Sequence, residues 1–262
     1  MSTARLVGIF TSATLVFLNL PILVIGFMSF ARGPFLSFPP TGFSLHWYGA
    51  YLGSARWMGA TLTSLEVAAA TACLAILLGT AGAIGLERGR FAFKPAARAL
   101  VNAPLVVPGI VSAVGLYFFF ARFGLIGTRL CLILAHTALA VPLVVVNVAT
   151  ALQTLDPDLE RAARGLGATR RQLFLHVTYP LLRPAILTGG LLAFLLSFDE
   201  LIVALFISGV DTTTLPIRLW NSLRDEVDPT VAAASTVLVV VPIVILGIIE
   251  VLRRRSKQGL LF

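Results

Sequence analysis

The chain has 262 residues, of which 58% are hydrophobic and only 12% charged, with a formal net charge of +8 and a mean hydropathy of +0.94. An ordinary soluble domain carries about 25% charged residues, so roughly half of the expected water-facing set is missing and a soluble globular fold is excluded. The 20 Lys and Arg residues fall in short clusters between apolar stretches, which is the pattern of membrane topology and not of a nucleic-acid-binding surface.

A helical crossing takes about 20 apolar residues. Six segments meet that length: residues 8–30, 61–86, 99–120, 130–152, 182–207 and 229–249. The expected fold is therefore all-α, a polytopic membrane protein with six transmembrane helices forming a single domain over residues 1–262. The first segment is too long for the apolar core of a cleavable signal and shows no small-residue cleavage site, so it reads as a retained span, with Pro21 kinking it. The loop after it, residues 31–60, is rich in Gly, Pro and aromatics (Phe35, Phe38, Phe43, Trp47, Tyr48, Trp57) and suits the outer interface. Ala, Gly, Ser and Thr dot the second span at residues 68–72 and 79–82, which lets helix backbones approach closely in lipid. Pro104, Pro108 and Pro142 imply bent or broken helices, tolerated where the freed backbone groups face protein or a wet cavity.

Counting Lys and Arg in the non-spanning intervals fixes the direction. The intervals on the side of the N-terminus hold thirteen, among them Arg88, Arg90, Lys94, Arg98, Arg161, Arg164, Arg170, Arg171 and Arg253 to Arg255, with Arg183 a fourteenth at the adjoining edge of the fifth segment, and the opposite side holds six. The positive-inside rule then places both termini in the cytoplasm. Cys73 and Cys131 lie within apolar runs and His46, His136 and His176 are scattered, so neither a disulfide framework, a metal site nor a bound cofactor is expected.

The most informative stretch is residues 155–180, between the fourth and fifth spans. Asp156 suits a helix cap, Pro157 the first helical position, and Asp158 and Glu160 the positive end of the helix dipole. Leu159, Ala162, Ala163 and Leu166 recur every three or four residues and predict a short amphipathic helix, which Gly167 stops or bends. Leu173, Phe174 and Val177 predict a second amphipathic turn, ended by Pro180. Two short helices around a small-residue corner make a knob for a partner's groove, or equally an interfacial helix whose Arg164, Arg170 and Arg171 meet anionic head groups.

Arg161, Ala162, Ala163, then Gly167, and distally Val177, Tyr179 and Pro180, resemble the EAA motif of the membrane subunits of ATP-binding-cassette importers. Arg161 stands where the motif usually has glutamate, with Glu160 just before it, and Tyr179 where leucine is usual. The run through residues 184–194, then Ser197, Phe198, Asp199 and Glu200, and Thr214, Leu215 and Pro216, is similar to the spermidine/putrescine branch. The resemblance covers residues 55–252 as a permease core with a coupling segment at 155–180. It implies that Glu160, Arg161, Ala162, Ala163, Gly167 and Pro180 serve docking of a cytoplasmic ATP-binding subunit. It further implies two such subunits, a second, different permease subunit, an extracytoplasmic solute-binding protein, and import of a polyamine by alternating access. Iron, phosphonate or another small solute is the alternative cargo, and a proton-coupled secondary transporter the alternative class.

No glycine-rich phosphate loop followed by Lys and Ser or Thr is present in the sequence, so ATP is expected to be used by a partner and not by this chain. Asp199 and Glu200 fall inside the fifth apolar segment, where carboxylates are costly unless they face a polar interior or partner. As helix neighbours they are expected about 100° apart, one lining the pathway and the other structural. Glu66, toward the outer end of the second span, is a further pathway candidate, and Asp211, Asp225, Glu226 and Asp228 form an acidic set on the outward side.

Overall fold

Without water, a long charge-free run can satisfy every backbone N–H and C=O within its own segment only as a helix, the other solution being a closed barrel of many strands. The computed structural model describes residues 3–35, 38–225 and 229–258, and its regular elements are helical, apart from an isolated antiparallel bridge between Ala31 and Phe43. In chain order they are α1 Thr3–Met28, α2 His46–Gly53, α3 Ala55–Arg88, α4 Lys94–Asn102, α5 Gly109–Ala121, α6 Arg129–Thr154, α7 Pro157–Gly165, α8 Arg170–Leu173, α9 Tyr179–Asp199, α10 Ile202–Ile207, α11 Leu215–Asp225 and α12 Thr230–Gln258. Among the described residues five helical runs are long and apolar enough to cross a membrane: Val7–Met28, Ala55–Arg88, Arg129–Thr154, Arg170–Asp199 and Thr230–Gly247.

The third expected span is not one rod. Lys94–Leu105 and Gly109–Ala121 meet at 104°, and they bring the crossings to six if the bent pair counts as one. Pro108 explains the break: it has no N–H to donate, it disfavours helical backbone at Val107, and it takes an extended conformation as the cap of α5. Pro21, Pro142, Pro184 and Pro242, in contrast, sit inside continuous helices.

Residues 62–216 form one compact unit. Its centre is packed by Ala75, Ala83, Val144, Val148, Leu182 and Ile186, from α3, α6 and α9. Small residues set how closely these helices approach. A Cβ at Gly79 would stand 2.6 Å from the Val144 Cβ, and one at Gly189 would stand 2.9 Å from the Val144 Cα. In the same unit α5 packs on α10, and the Leu215 N–H at the start of α11 donates to Ser64 Oγ at 2.8 Å.

Residues 1–61 with 217–262 form the second unit. Here α12 packs on α1 and α2. The side chains of residues 7–23 are exposed all round α1, as a lipid-facing helix requires. The aromatic stretch after α1 carries a short helix and side-chain hydrogen bonds. It folds α2, sets Ser29 Oγ 2.7 Å from Tyr48 OH, and joins Tyr51 OH to Thr61 Oγ1, with burial pushing the Tyr51 phenol above its ordinary pKa. Arg218 lies over the Trp57 ring, 5.5 Å from its centre. Of the acidic set, Glu226 and Asp228 lie outside the described residues.

Candidate functional site

The α7–α8 corner is built by its caps. Asp156 accepts a hydrogen bond from the Asp158 N–H at 2.9 Å, and Pro157 follows as the first helical residue of α7. At the other end Gly167 has φ +85°, a left-handed conformation that any side chain would strain. Its N–H donates to the Arg164 carbonyl, and the Ala168 N–H donates to that of Ala163, which together make a Schellman ending. Thr169 then caps α8 reciprocally with Gln172. The chain turns within Leu166 to Thr169, and both helix ends are satisfied locally.

Pro180 does not end the second turn. Helical structure runs unbroken from Arg170 to Asp199, through a π turn at Phe174–Thr178 in which the Tyr179 N–H reaches back to the Phe174 carbonyl. The wider turn accommodates the proline ring that an α turn would crowd. Pro180 therefore lies in the first turn of α9, while Gly167 lies at the corner.

The expected docking residues divide between two faces. Arg161, Ala162 and Gly167 are exposed, and Leu166 beside them is 90% exposed. Arg161 is bonded along its own helix to Asp158 at 2.5 Å. Ala163 is half-buried, and the Glu160 side chain is only 13% exposed because it turns to Arg88, the last residue of α3, at 2.8 Å, with Arg164 at 3.8 Å. Beside it Glu87 accepts from Arg98 of α4 at 2.5 Å and from Gln153 of α6 at 3.2 Å.

The fifth expected span is also interrupted. α9 ends at Asp199, Glu200 is extended, and α10 begins at Ile202. The two acids are therefore not neighbours on one helix. The Glu200 carboxylate accepts from the Val203 and Ala204 N–H groups at 3.0 and 2.9 Å, filling two of the donors that a helix start leaves unpaired. That demand, invisible to hydropathy, explains why an acid sits in so apolar a run. Asp199 is exposed, and among the described residues its carboxylate has no hydrogen bond or ion pair. Glu66 pairs instead with Arg129 at the start of α6, 2.6 Å away and half-exposed.

Sequence reasoning missed His136. It is fully buried on α6, with Nδ1 2.8 Å from Ser197 Oγ on α9 and Nε2 3.7 Å from Glu200 Oε2. The available signal was an ionisable ring in the middle of an apolar span, which is costly without partners. Among the described residues, no group of three or more His, Cys, Asp or Glu is placed to hold a metal ion.

A multi-pass helical chain with broken spans and polar groups at the breaks belongs among membrane-embedded transport proteins. Residues 73–258 match the family described as binding-protein-dependent transport system inner membrane component, and the chain belongs to that family. It is a multi-pass inner-membrane permease subunit of an ATP-binding-cassette importer for a small solute. It is 36% identical over 251 residues to the putrescine transport system permease protein PotI of Escherichia coli K12, covering 92% of this chain and 89% of the relative. It is 33% identical over 204 residues to the molybdenum transport system permease protein ModB of Mycobacterium bovis, covering 72% and 77%. Among solved structures, a chain of a bacterial ABC transporter that imports the acidic polysaccharide alginate superposes with a TM-score of 0.74 at 16% identity, over 95% of this chain and 98% of that one. At that identity the likeness concerns the fold alone.

Proposed function

We propose that this permease imports a polyamine, putrescine or spermidine, by alternating access. It would act beside a second, different permease subunit, two cytoplasmic ATP-binding subunits and an extracytoplasmic solute-binding protein. Both termini and the α7–α8 corner face the cytoplasm, and residues 155–180 form the coupling segment of a permease core spanning residues 55–252. The observation that carries the coupling role is the corner itself: Arg161, Ala162, Leu166 and Gly167 are exposed on a turn whose two helix ends are fully capped. A stiff element with small residues at its tip can enter a groove deeply and pass on motion without bending.

The polyamine rests on the putrescine relative, with Asp199 in support. An unpaired carboxylate at a helix break would favour a passing cation and repel an oxyanion. The molybdenum relative favours a second reading, in which the same machinery carries another small solute. Glu200 contributes by holding the start of α10, and Glu66 by pairing with Arg129 at the outer end of α3.

The test is reconstitution of the whole complex in proteoliposomes with binding protein outside and ATP inside. ATP-dependent uptake of radiolabelled putrescine is expected, and Gly167→Trp should uncouple that uptake from ATP hydrolysis. Uptake of molybdate instead overturns the cargo, and unchanged coupled uptake by Gly167→Trp overturns the docking role.

A further inference from the structure

The corner is joined by covalent bonds to α6 before it and α9 after it, so motion of α7 reaches those two helices directly. α3 has no such link, since Arg88 lies 72 residues from Glu160 in the chain. We propose that the Arg88–Glu160 ion pair is the tie that makes α3 follow the corner, and that Arg88 is a positioning residue for coupling. This inference rests on the coupling role proposed above for the corner.

Three observations carry it. First, Glu160 is turned away from the exposed docking face and toward α3, with its side chain 13% exposed, while Arg88 at 37% reaches it from the more open side. Second, each charge sits where its own helix favours it. Arg88 is in the last turn of α3 and Glu160 in the first turn of α7, so the two dipoles and the ion pair reinforce one another. Third, the pair stands in a polar lashing at the end of α3. The adjacent Glu87 binds Arg98 of α4 and Gln153 of α6, and Lys94 Nζ donates to the Glu87 carbonyl at 3.1 Å and to that of Gly89 at 3.4 Å. The ends of α3, α4, α6 and α7 are thereby held together by side chains, and Arg88 is the member that reaches α7. Glu160 thus serves the corner from within: Arg161, Ala162 and Gly167 face the partner, and Glu160 connects the corner to a helix that the chain does not.

The experiment uses the complete importer in proteoliposomes and reads substrate moved per ATP hydrolysed, with co-purification of the ATP-binding subunits as a control for assembly. Arg88→Glu places two carboxylates against each other. The complex should still assemble and hydrolyse ATP, while substrate moved per ATP falls by about twofold to thirtyfold, the range that mutations along coupled networks produce. Arg88→Lys keeps the charge and should stay near the native ratio. Adding Glu160→Arg to Arg88→Glu restores the pair with its charges exchanged and should recover part of the loss. A native ratio in Arg88→Glu, or a double variant no better than Arg88→Glu, overturns the tie while leaving the docking role standing. Failure of the native chain to hold ATP-binding subunits takes both down together.

Discussion

Val144 sits where α3, α6 and α9 meet, and two adjacent glycines of α9 differ in what a methyl group would strike. At Gly189 the nearest atom to an added Cβ is the Val144 Cα, at 2.9 Å, so Gly189→Ala must push two helix backbones apart. At Gly190 the nearest atoms are Ile76 Cδ1 and Cγ1, so a methyl group there meets a side chain, which can yield by changing its χ1 rotamer, and not a backbone. Gly189→Ala should therefore destabilise the purified protein by about 1–3 kcal/mol, the usual cost of overpacking, and Gly190→Ala by less, about 0.5–1.5 kcal/mol for an Ile76 forced off its rotamer. Thermal unfolding in detergent checks the order, and equal losses would contradict the packing described. The sequence makes small residues in the spans easy to read, because lipid gives apolar burial no advantage between helices. It does not tell which glycine meets backbone and which meets a side chain, since that depends on helix rotation. His136 was hidden for a related reason: its partners, Ser197 and Glu200, are 61 and 64 residues away, and only packing brings them to it.

Elements whose ends are encoded by neighbouring residues were legible, and those whose ends answer to distant demands were not. α7 could be placed from Asp156, Pro157 and Gly167 because caps and left-handed turns act over three or four residues. The break between α9 and α10 was not legible, since residues 182–207 read as one apolar run and the Glu200 cap interrupts it without any proline or glycine at the break. The π turn before Pro180 was missed as well, because a proline normally signals a stop and here the preceding turn widens around it. The α8 start offers a check at this scale. Thr169 Oγ1 accepts the Gln172 N–H, and the Gln172 side chain accepts from the Thr169 N–H and hydroxyl. Thr169→Ala removes one half of this box and should cost about 0.5–2 kcal/mol locally. Hydrogen exchange of the amides of residues 170–173 should then quicken by about twofold to thirtyfold, with the exchange of α6 unaffected; no change there would mean that the corner is held by something other than its caps.

At the scale of the whole molecule, the charge that is scarce in composition is informative by position. Fourteen Lys and Arg lie in or at the edge of the intervals assigned to one side and six in those assigned to the other, an asymmetry far larger than helix packing needs. If the positive-inside rule holds, Leu166 at the α7–α8 corner faces the cytoplasm and Val210, between α10 and α11, faces outward. One crossing separates the two positions, so a single chain tested at both reports the direction of that crossing and, through six crossings in alternation, the side of the termini. Both side chains are open to reagent, Leu166 at 90% and Val210 at 94% exposure. In a background with Cys73→Ala and Cys131→Ala, a membrane-impermeant maleimide added to spheroplasts should label Val210→Cys at once. Leu166→Cys should react only after the membrane is opened, and its labelling should slow when the ATP-binding subunits are bound, because the same turn is the proposed docking tip. The reverse pattern would invert the topology and leave the corner on the wrong side for any ATP-driven partner. The pair therefore bears on the mechanism as well as on the orientation.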